Sequence, residues 1–422
     1  MNALRRVPTL SPLRRAMSGQ QQFRGVSALG RLTVTVQGPH VDSEAAPDHR
    51  EPLLAQLRSL PRDAPILTIQ DDPPSDTEWD LLSDHFTGVR DLEIDTGFNE
   101  DLNDSKMPLH WPLDRLMISG VCGEVTKSPH ILQGLAKHLI LYLTSEMRFE
   151  GPRSDQLTGA YQKAIDRGEA KSEYIPGSKI NLINITKLGR EWMAQKYGDS
   201  SAEAELEPEN RPVQESRLRT LEIIGNDALD TFLRMCAAIP HVVENVSTLY
   251  LRSTSARPDF LWTEEKSFAE VLPQLTDLQT LKLSVGEVFH EEATLSALYT
   301  SLPPNLTTLY FRGPISLCRS ERWEEWVTAF SSDTFLPKLQ RLAFVLDMHY
   351  EQGKYGKEDS DAPEEDLLQA RAACERLYEG ARRRGITIEP LQDEWAGKHV
   401  CLRPVDRRWP SPRPYPSPFF GP

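Results

Sequence analysis

Cysteine is scarce in this chain of 422 residues. The five cysteines are widely scattered, and no two of them form a C-x-x-C pair: Cys122, Cys236, Cys318, Cys374 and Cys401. An odd number without that spacing indicates neither a zinc module nor a disulfide framework. The cysteine usage therefore favours a reducing compartment, and we predict a cytoplasmic or nuclear location.

Long hydrophobic runs and the common catalytic motifs are also missing. The apolar run from His138 to Leu143 is typical of the longest in the chain, whereas a membrane span needs about 18–20 residues. The sequence contains no G-x-S-x-G, no G-x-x-x-x-G-K-[ST] and no H-E-x-x-H motif, so the usual phosphate cradle and zinc helix are not indicated. We predict no catalytic, cofactor-binding or metal-binding residues and no membrane span.

Acidic residues are missing from the first 41 positions. Residues 1–41 hold six of the 48 basic groups and none of the 62 acidic ones, which leaves the rest of the chain with a net charge of −20. A body so acidic would repel a phosphate backbone, so nucleic acid is not predicted as a partner. We predict a disordered basic arm at 1–41. Its composition also resembles a mitochondrial targeting segment, the alternative location, although Pro8 and Pro12 interrupt the helix that such a signal needs.

What the chain does contain is a repeat of the form Leu-x-x-Leu-x-Leu, clearest at Leu278 to Leu283. The central leucines of the copies are Leu67, Leu92, Leu116, Leu139, Leu221, Leu249, Leu281, Leu309 and Leu342. Within each run of copies they recur at steps of 23 to 33 residues, which suits one strand and one helical return per unit. The repeat predicts an α/β solenoid with a parallel sheet of nine or ten short strands on one side and helices on the other.

The segments between these strands carry helical patterns. Apolar side chains fall on one stripe at 228–239, 291–302 and 323–330. A last helix is predicted between Pro363 and Gly385, because acids open it and arginines close it, as the helix dipole favours. The three residues after Gly385 are predicted to form a closing strand.

The repeat array is interrupted once. Its two halves occupy 53–143 and 218–390, and an insert with an acidic linker separates them at 144–217. A tail at 403–422 contains seven prolines and is predicted to be extended. Four threonines precede the central leucines of successive units in the second half: Thr220, Thr248, Thr280 and Thr308. In a parallel register these threonines would be direct neighbours on one sheet face.

The repeats resemble leucine-rich repeats, most closely the ribonuclease-inhibitor-like class found in F-box and other scaffold proteins, and the run as a whole is similar to fungal proteins with degenerate repeats. The resemblance implies a concave parallel sheet, helices outside and a scaffold role. The family places an asparagine three residues after the third apolar position, and here only Asn226 does so. We therefore expect an irregular arc. No F-box is visible, so a ubiquitin-ligase substrate receptor is an alternative that rests on analogy.

The residues between the buried leucines predict a binding face. These residues are Glu93, Met117, Ile140, Glu222, Tyr250, Lys282, Tyr310 and Ala343. Arg252 and Arg312 flank the two tyrosines, each two residues after one of them. Tyrosine and arginine are enriched at interface hot spots. We predict partner binding by Tyr250, Arg252, Lys282, Tyr310 and Arg312, which we call the basic–aromatic strip. The alternative is that this strip only covers the sheet beneath the insert or the tail.

The function predicted from these features is a non-catalytic protein–protein interaction scaffold whose concave face holds an acidic or phosphorylated partner segment, since arginine pairs well with such groups. A second possibility is an enzyme or enzyme subunit with a site between the array and the insert at 144–217. The sequence leaves the oligomeric state open.

Overall fold

The computed structural model describes residues 31–36, 50–96, 102, 104–120, 125–144, 147–149, 216–225, 228–253, 265–285, 292–353, 356–359, 361–391 and 395. Most of the predicted arm, nearly all of the predicted insert and the whole proline-rich tail lie outside these ranges. A site between the array and the insert therefore stays a prediction.

One parallel sheet organises the described part of the chain. Its eleven strands, in spatial order, are β1 (Arg31–Val36), β2 (Ile66–Asp71), β3 (Asp91–Thr96), β4 (Arg115–Ser119), β6 (His138–Tyr142), β8 (Thr220–Gly225), β9 (Thr248–Ser253), β10 (Thr280–Ser284), β11 (Thr308–Pro314), β12 (Arg341–Met348) and β15 (Thr387–Ile388). Two small sheets pair β5 (Val125–Thr126) with β7 (Arg148–Phe149), and β13 (Tyr350–Gly353) with β14 (Gly356–Asp359). Sequence neighbours in the main sheet are also spatial neighbours, as in a solenoid.

The central leucines align in a single ladder. Leu221, Leu249, Leu281 and Leu309 are paired across β8 to β11, and the ladder continues to Leu67 on one side and Leu342 on the other. All nine are at most 1% exposed. Strands β6 and β8 pair directly. The insert follows β6 and precedes β8 in the sequence, and the sheet is continuous across that point. The threonine row is also confirmed, because Thr220, Thr248, Thr280 and Thr308 are register partners in turn.

Helices pack on the leucine side of the sheet. They are α1 (Arg50–Leu57), α2 (Asp76–His85), α3 (Pro129–Leu132), α4 (Ala228–Ala238), α5 (Pro240–Val243), α6 (Glu265–Val271), α7 (Glu292–Ala297), α8 (Trp323–Ser331) and α9 (Glu364–Arg383). Short 3₁₀ turns extend or replace them at Asp104–Lys106, Leu272–Gln274, Leu298–Ser301 and Ile315–Arg319. Their apolar side chains share one core with the strand leucines. The leucine-rich-repeat-like α/β fold predicted from the sequence is thus confirmed.

The last helix begins and ends where its charges predict. Glu364 opens α9 after Pro363, and Gly385 follows its end with φ +79°, a left-handed conformation that suits glycine. Arg384, which directly precedes Gly385, donates hydrogen bonds from its guanidinium to the carbonyls of Phe330 and Leu336 at 3.1 and 3.2 Å. The arginine therefore satisfies the Phe330 carbonyl in the last turn of α8, which the helix leaves without a partner, and the Leu336 carbonyl in the loop that follows.

The sheet begins earlier than predicted. The predicted disordered arm at 1–41 is wrong for residues 31–36, which form β1 with Val34 and Val36 fully buried. On α1, the Gln56 side chain accepts from Thr35 N at 3.0 Å and donates to Thr35 O at 2.8 Å. A helix side chain thus satisfies backbone groups on the outer strand, which is one way to protect a sheet edge. The signal in the sequence was the run Leu29-x-x-Leu32-x-Val34, which keeps the spacing of the repeat and places Leu32 beside Leu67 in the register.

The first turn of α2 is closed by a capping box, whose contribution to stability can be tested by mutation. Ser75 Oγ accepts a hydrogen bond from Glu78 N, and the Glu78 carboxylate accepts one from Ser75 N at 2.8 Å, which together form a capping box. We expect Ser75→Ala to lower the free energy of unfolding by about 1 kcal/mol, because the backbone N–H of Glu78 loses the hydroxyl that accepts its hydrogen bond. Urea denaturation measures this. Ser75→Thr keeps the hydroxyl and should recover most of the loss; equal midpoints for all three proteins would contradict the assignment.

Candidate functional site

The face of the sheet opposite the helices, here called the helix-free face, carries the residues predicted from the sequence. A central row crosses the sheet in register: Thr68, Glu93, Met117, Ile140, Glu222, Tyr250, Lys282, Tyr310 and Ala343. A second row lies two residues further along each strand and includes Tyr142, Ile224, Arg252, Ser284, Arg312 and Val345. The alternation of side chains along each strand places both rows on one surface.

The basic–aromatic strip assembles on three adjacent strands. Lys282 Nζ lies 5.4 Å from the ring centroid of Tyr250 and 5.7 Å from that of Tyr310, so the ammonium sits between two aromatic faces. Cation–π attraction holds such a group at this range. Tyr250 is 7% exposed, whereas Lys282 and Tyr310 are half-buried. The lysine is therefore the solvent-accessible cation at the centre of the strip.

The two arginines of the strip lie deeper in the second row, with Ser284 between them in the register. Arg312 donates from Nε and Nη2 to the two carboxylate oxygens of Asp347 at 2.7 and 3.0 Å. Burial lowers the pKa of Arg252 to about 10, so it remains a cation at neutral pH. The buried hydroxyl of Ser284 has no hydrogen-bond partner among the described residues. The row combines two buried cations with an unused hydroxyl.

Three residues near the end of the described chain contact this face: Glu389, Leu391 and Trp395, here called the covering segment. Trp395 is 3% exposed and stacks on Tyr142, with ring centroids 4.9 Å apart and planes inclined by 22°. It joins a buried apolar cluster on the helix-free face whose other members are Met117, Ile140, Tyr142, Leu143, Ile224 and Tyr250. Leu391 packs with Ala343, Val345 and Tyr310 in a second cluster. The covering residues precede the predicted tail at 403–422.

Glu222, on β8, binds both the neighbouring strand β6 and the covering residue Trp395. Its carboxylate accepts from His138 Nε2 at 2.8 Å and from the Trp395 indole N–H at 2.7 Å. Burial by itself raises the pKa of the Glu222 carboxyl, but the hydrogen bonds from His138 and Trp395 outweigh it, so the pKa lies below its ordinary value. Glu222 is therefore held as a carboxylate, and that charge orients the indole of Trp395.

The five predicted site residues thus lie together, but they do not form an open surface. Tyr250, Arg252 and Arg312 are buried; Trp395 shares a cluster with Tyr250, and Leu391 and Glu389 contact Tyr310. The alternative predicted from the sequence was a cover formed by the insert at 144–217 or the tail at 403–422, whereas Leu391 and Trp395 belong to neither segment. What sequence reasoning missed was the covering segment itself, for which a tryptophan in an otherwise polar stretch was the available signal.

The described residues include potential metal ligands and cysteine thiols. No three His, Cys, Asp or Glu side chains in that part of the chain gather as metal ligands. Burial raises the pKa of the Cys236 and Cys374 thiols, which disfavours the reactive thiolate. None of the helices that the structure describes is long and apolar enough to span a bilayer.

No family model and no curated protein sequence matches the chain. Among solved structures it is similar to the leucine-rich repeat-containing protein LegL7 from Legionella pneumophila, with 14% sequence identity and a TM-score of 0.30. The similarity covers 82% of this chain and 98% of that chain. The leucine ladder and the parallel register of this protein, and not that likeness, establish the fold.

Proposed function

We propose that this protein is a non-catalytic protein–protein interaction scaffold, and that its helix-free face holds an acidic or phosphorylated segment of a partner. The observation that carries the proposal is the strip on β9 to β11, where Lys282 lies between two tyrosine rings and two buried arginines follow in the next row. Fixed cations in a poorly hydrated surface attract anions more strongly than solvated ones do.

The charge of the whole chain supports an acidic target for this position. The sequence after residue 41 carries a net charge of −20, so an acidic segment is repelled by most of the molecule. A basic strip on an otherwise acidic surface confines the attraction for an acidic partner to one place. This favours one binding position and selectivity for the partner over non-specific binding. Tyr250 and Tyr310 add aromatic contact area of the kind that dominates interface energies.

Reversal of the central charge tests the proposal. We expect Lys282→Glu to weaken the binding of acidic and phosphoserine peptides by about tenfold or more, because the cation at the centre of the strip becomes a repelling anion. The measurement is fluorescence anisotropy with labelled peptides in matched acidic, phosphorylated and neutral forms, at two salt concentrations.

Lys338→Glu is the matched control, because it makes the same charge change at an exposed turn before β12. Its affinities should equal those of the unmodified chain. Equal affinities for the Lys282→Glu protein and the unmodified one would refute the proposed site, as would binding that does not distinguish acidic from neutral peptides.

A further inference from the structure

The segment that covers the helix-free face resembles, in its chemistry, the partner proposed above. Within seven residues it places a carboxylate, a leucine and an indole on three parts of one surface: Glu389, Leu391 and Trp395. We infer that these three residues are an internal occupant of the partner site, and that the external partner is an acidic segment with an aromatic residue that displaces them. The inference rests on the proposed function and deepens it.

The carboxylate of the internal segment meets the strip directly. The hydroxyl of Tyr310 donates a hydrogen bond to Glu389, and Arg341 Nη1 lies 4.0 Å from the same carboxylate. The backbone N–H of Glu389 donates to the carbonyl of Leu342 at 2.9 Å, so the residue is still tied to the sheet at this point. An acidic side chain therefore already occupies one end of the predicted acid-binding surface.

The indole is the opposite anchor. Trp395 stacks on Tyr142 and donates to the Glu222 carboxylate at 2.7 Å. On the sheet, Glu222 lies three strands from Tyr310 in the same row, a separation of about 14 Å. Two chemically different subsites thus lie at a fixed distance: a tyrosine and an arginine for a carboxylate, and an apolar pocket with one carboxylate acceptor for an indole.

The covering contacts are separate from the core of the fold. Leu391 and Trp395 belong to clusters on the helix-free face, whereas the strand leucines and helices form another. The segment can consequently leave the face without opening the leucine core. A competitor has to replace a stacking contact, two hydrogen bonds and the burial of one leucine, all of which a short peptide can supply.

The requirement for an aromatic residue follows from the pocket. Met117, Ile140 and Ile224 are at most 7% exposed beneath the covering segment, and an unfilled apolar pocket of this kind favours a large flat side chain. Glu222 selects a ring with an N–H or O–H donor, because without one its buried Oε2 loses the hydrogen bond that Trp395 donates, while His138 still serves Oε1. A tryptophan or tyrosine in the partner meets both conditions, while a purely acidic peptide meets neither.

The test uses the full chain and a labelled peptide with the sequence of residues 388–396. The unmodified chain should bind it weakly, because its own segment occupies the site, and the Trp395→Ala chain should bind it at least about tenfold more tightly. A peptide with alanine in place of the tryptophan should lose that gain. Leu368→Ala, which shortens an exposed leucine on α9, is the control and should behave as the unmodified chain.

Glu389→Ala provides a second opening variant at the other end of the segment, should Trp395→Ala reduce the yield of folded protein. Equal peptide affinity in the opened and unmodified chains would overturn the inference. So would a concentration-dependent dimer of the Trp395→Ala chain in sedimentation, since a second copy would then be the occupant.

The two proposals fail in different ways. If acidic or phosphorylated peptides bind through Lys282 but their affinity is unchanged by Trp395→Ala, the internal-occupant inference is wrong and the scaffold proposal stands. If neither those peptides nor the 388–396 peptide binds any of these chains, both are wrong.

Discussion

Replacement of Leu281 by aspartate is expected to abolish cooperative folding. Leu281 is the second residue of β10, is fully buried, and has Leu249 and Leu309 as its register partners. Loss of a buried leucine alone costs about 2–5 kcal/mol, and a buried carboxylate without a partner adds several kcal/mol more. Typical domains have a net stability of only about 5–15 kcal/mol. The repeat unit that contains β10 should therefore not fold, and the units on its two sides should lose their contact with each other.

The neighbouring position supplies the control for Leu281→Asp. Lys282→Glu introduces an acid one residue further along the same strand, but on the helix-free face. Because strand side chains alternate, a shift of one residue changes the surface on which a side chain lies. The Lys282→Glu protein should melt close to the unmodified chain, whereas Leu281→Asp should show no sharp transition by circular dichroism. A normal transition for Leu281→Asp would contradict the register of the ladder.

Loss of the Asp347 carboxylate is expected to be the second large effect. Asp347 holds Arg312 through two hydrogen bonds, and the arginine side chain is 8% exposed. Removal of one partner from a buried pair leaves a poorly compensated charge, and such losses reach about 3–5 kcal/mol. The Asp347 side chain is 17% exposed, so we expect Asp347→Ala to cost about 3 kcal/mol, toward the lower end.

Replacement of Arg312 should lower the free energy of unfolding less than replacement of Asp347 does, and the comparison of the two losses tests the buried charge pair. Arg312→Met removes the cation and keeps apolar volume, while Asp347 can turn toward solvent; we expect a loss of about 1–2 kcal/mol. The Arg312→Met/Asp347→Ala double variant should be more stable than Asp347→Ala alone. Urea unfolding of the four proteins gives the coupling between the two sites. A double variant whose loss equals the sum of the two single losses would show that the pair is not coupled.

The central row of the helix-free face could be predicted because it depends only on local periodicity. Tyr250, Lys282 and Tyr310 occupy the same place in three successive units, and a shared ladder of leucines brings equal places together. The prediction that they form one strip required nothing beyond the alternation of side chains. At the ends of the array, the closing strand β15 was predicted from its place after Gly385, whereas β1 was missed because its repeat, Leu29-x-x-Leu32-x-Val34, follows an arginine-rich stretch without acids.

The sequence by itself determined which side chains share a face, because a repeated strand with a buried leucine fixes the direction of every neighbour. It also determined where the last helix begins and ends, since charges and a glycine act within one turn. Only the tertiary structure decided whether the shared face is open. Trp395 reaches Glu222 across 173 positions of sequence, and no local pattern encodes a contact that depends on the path of the whole chain.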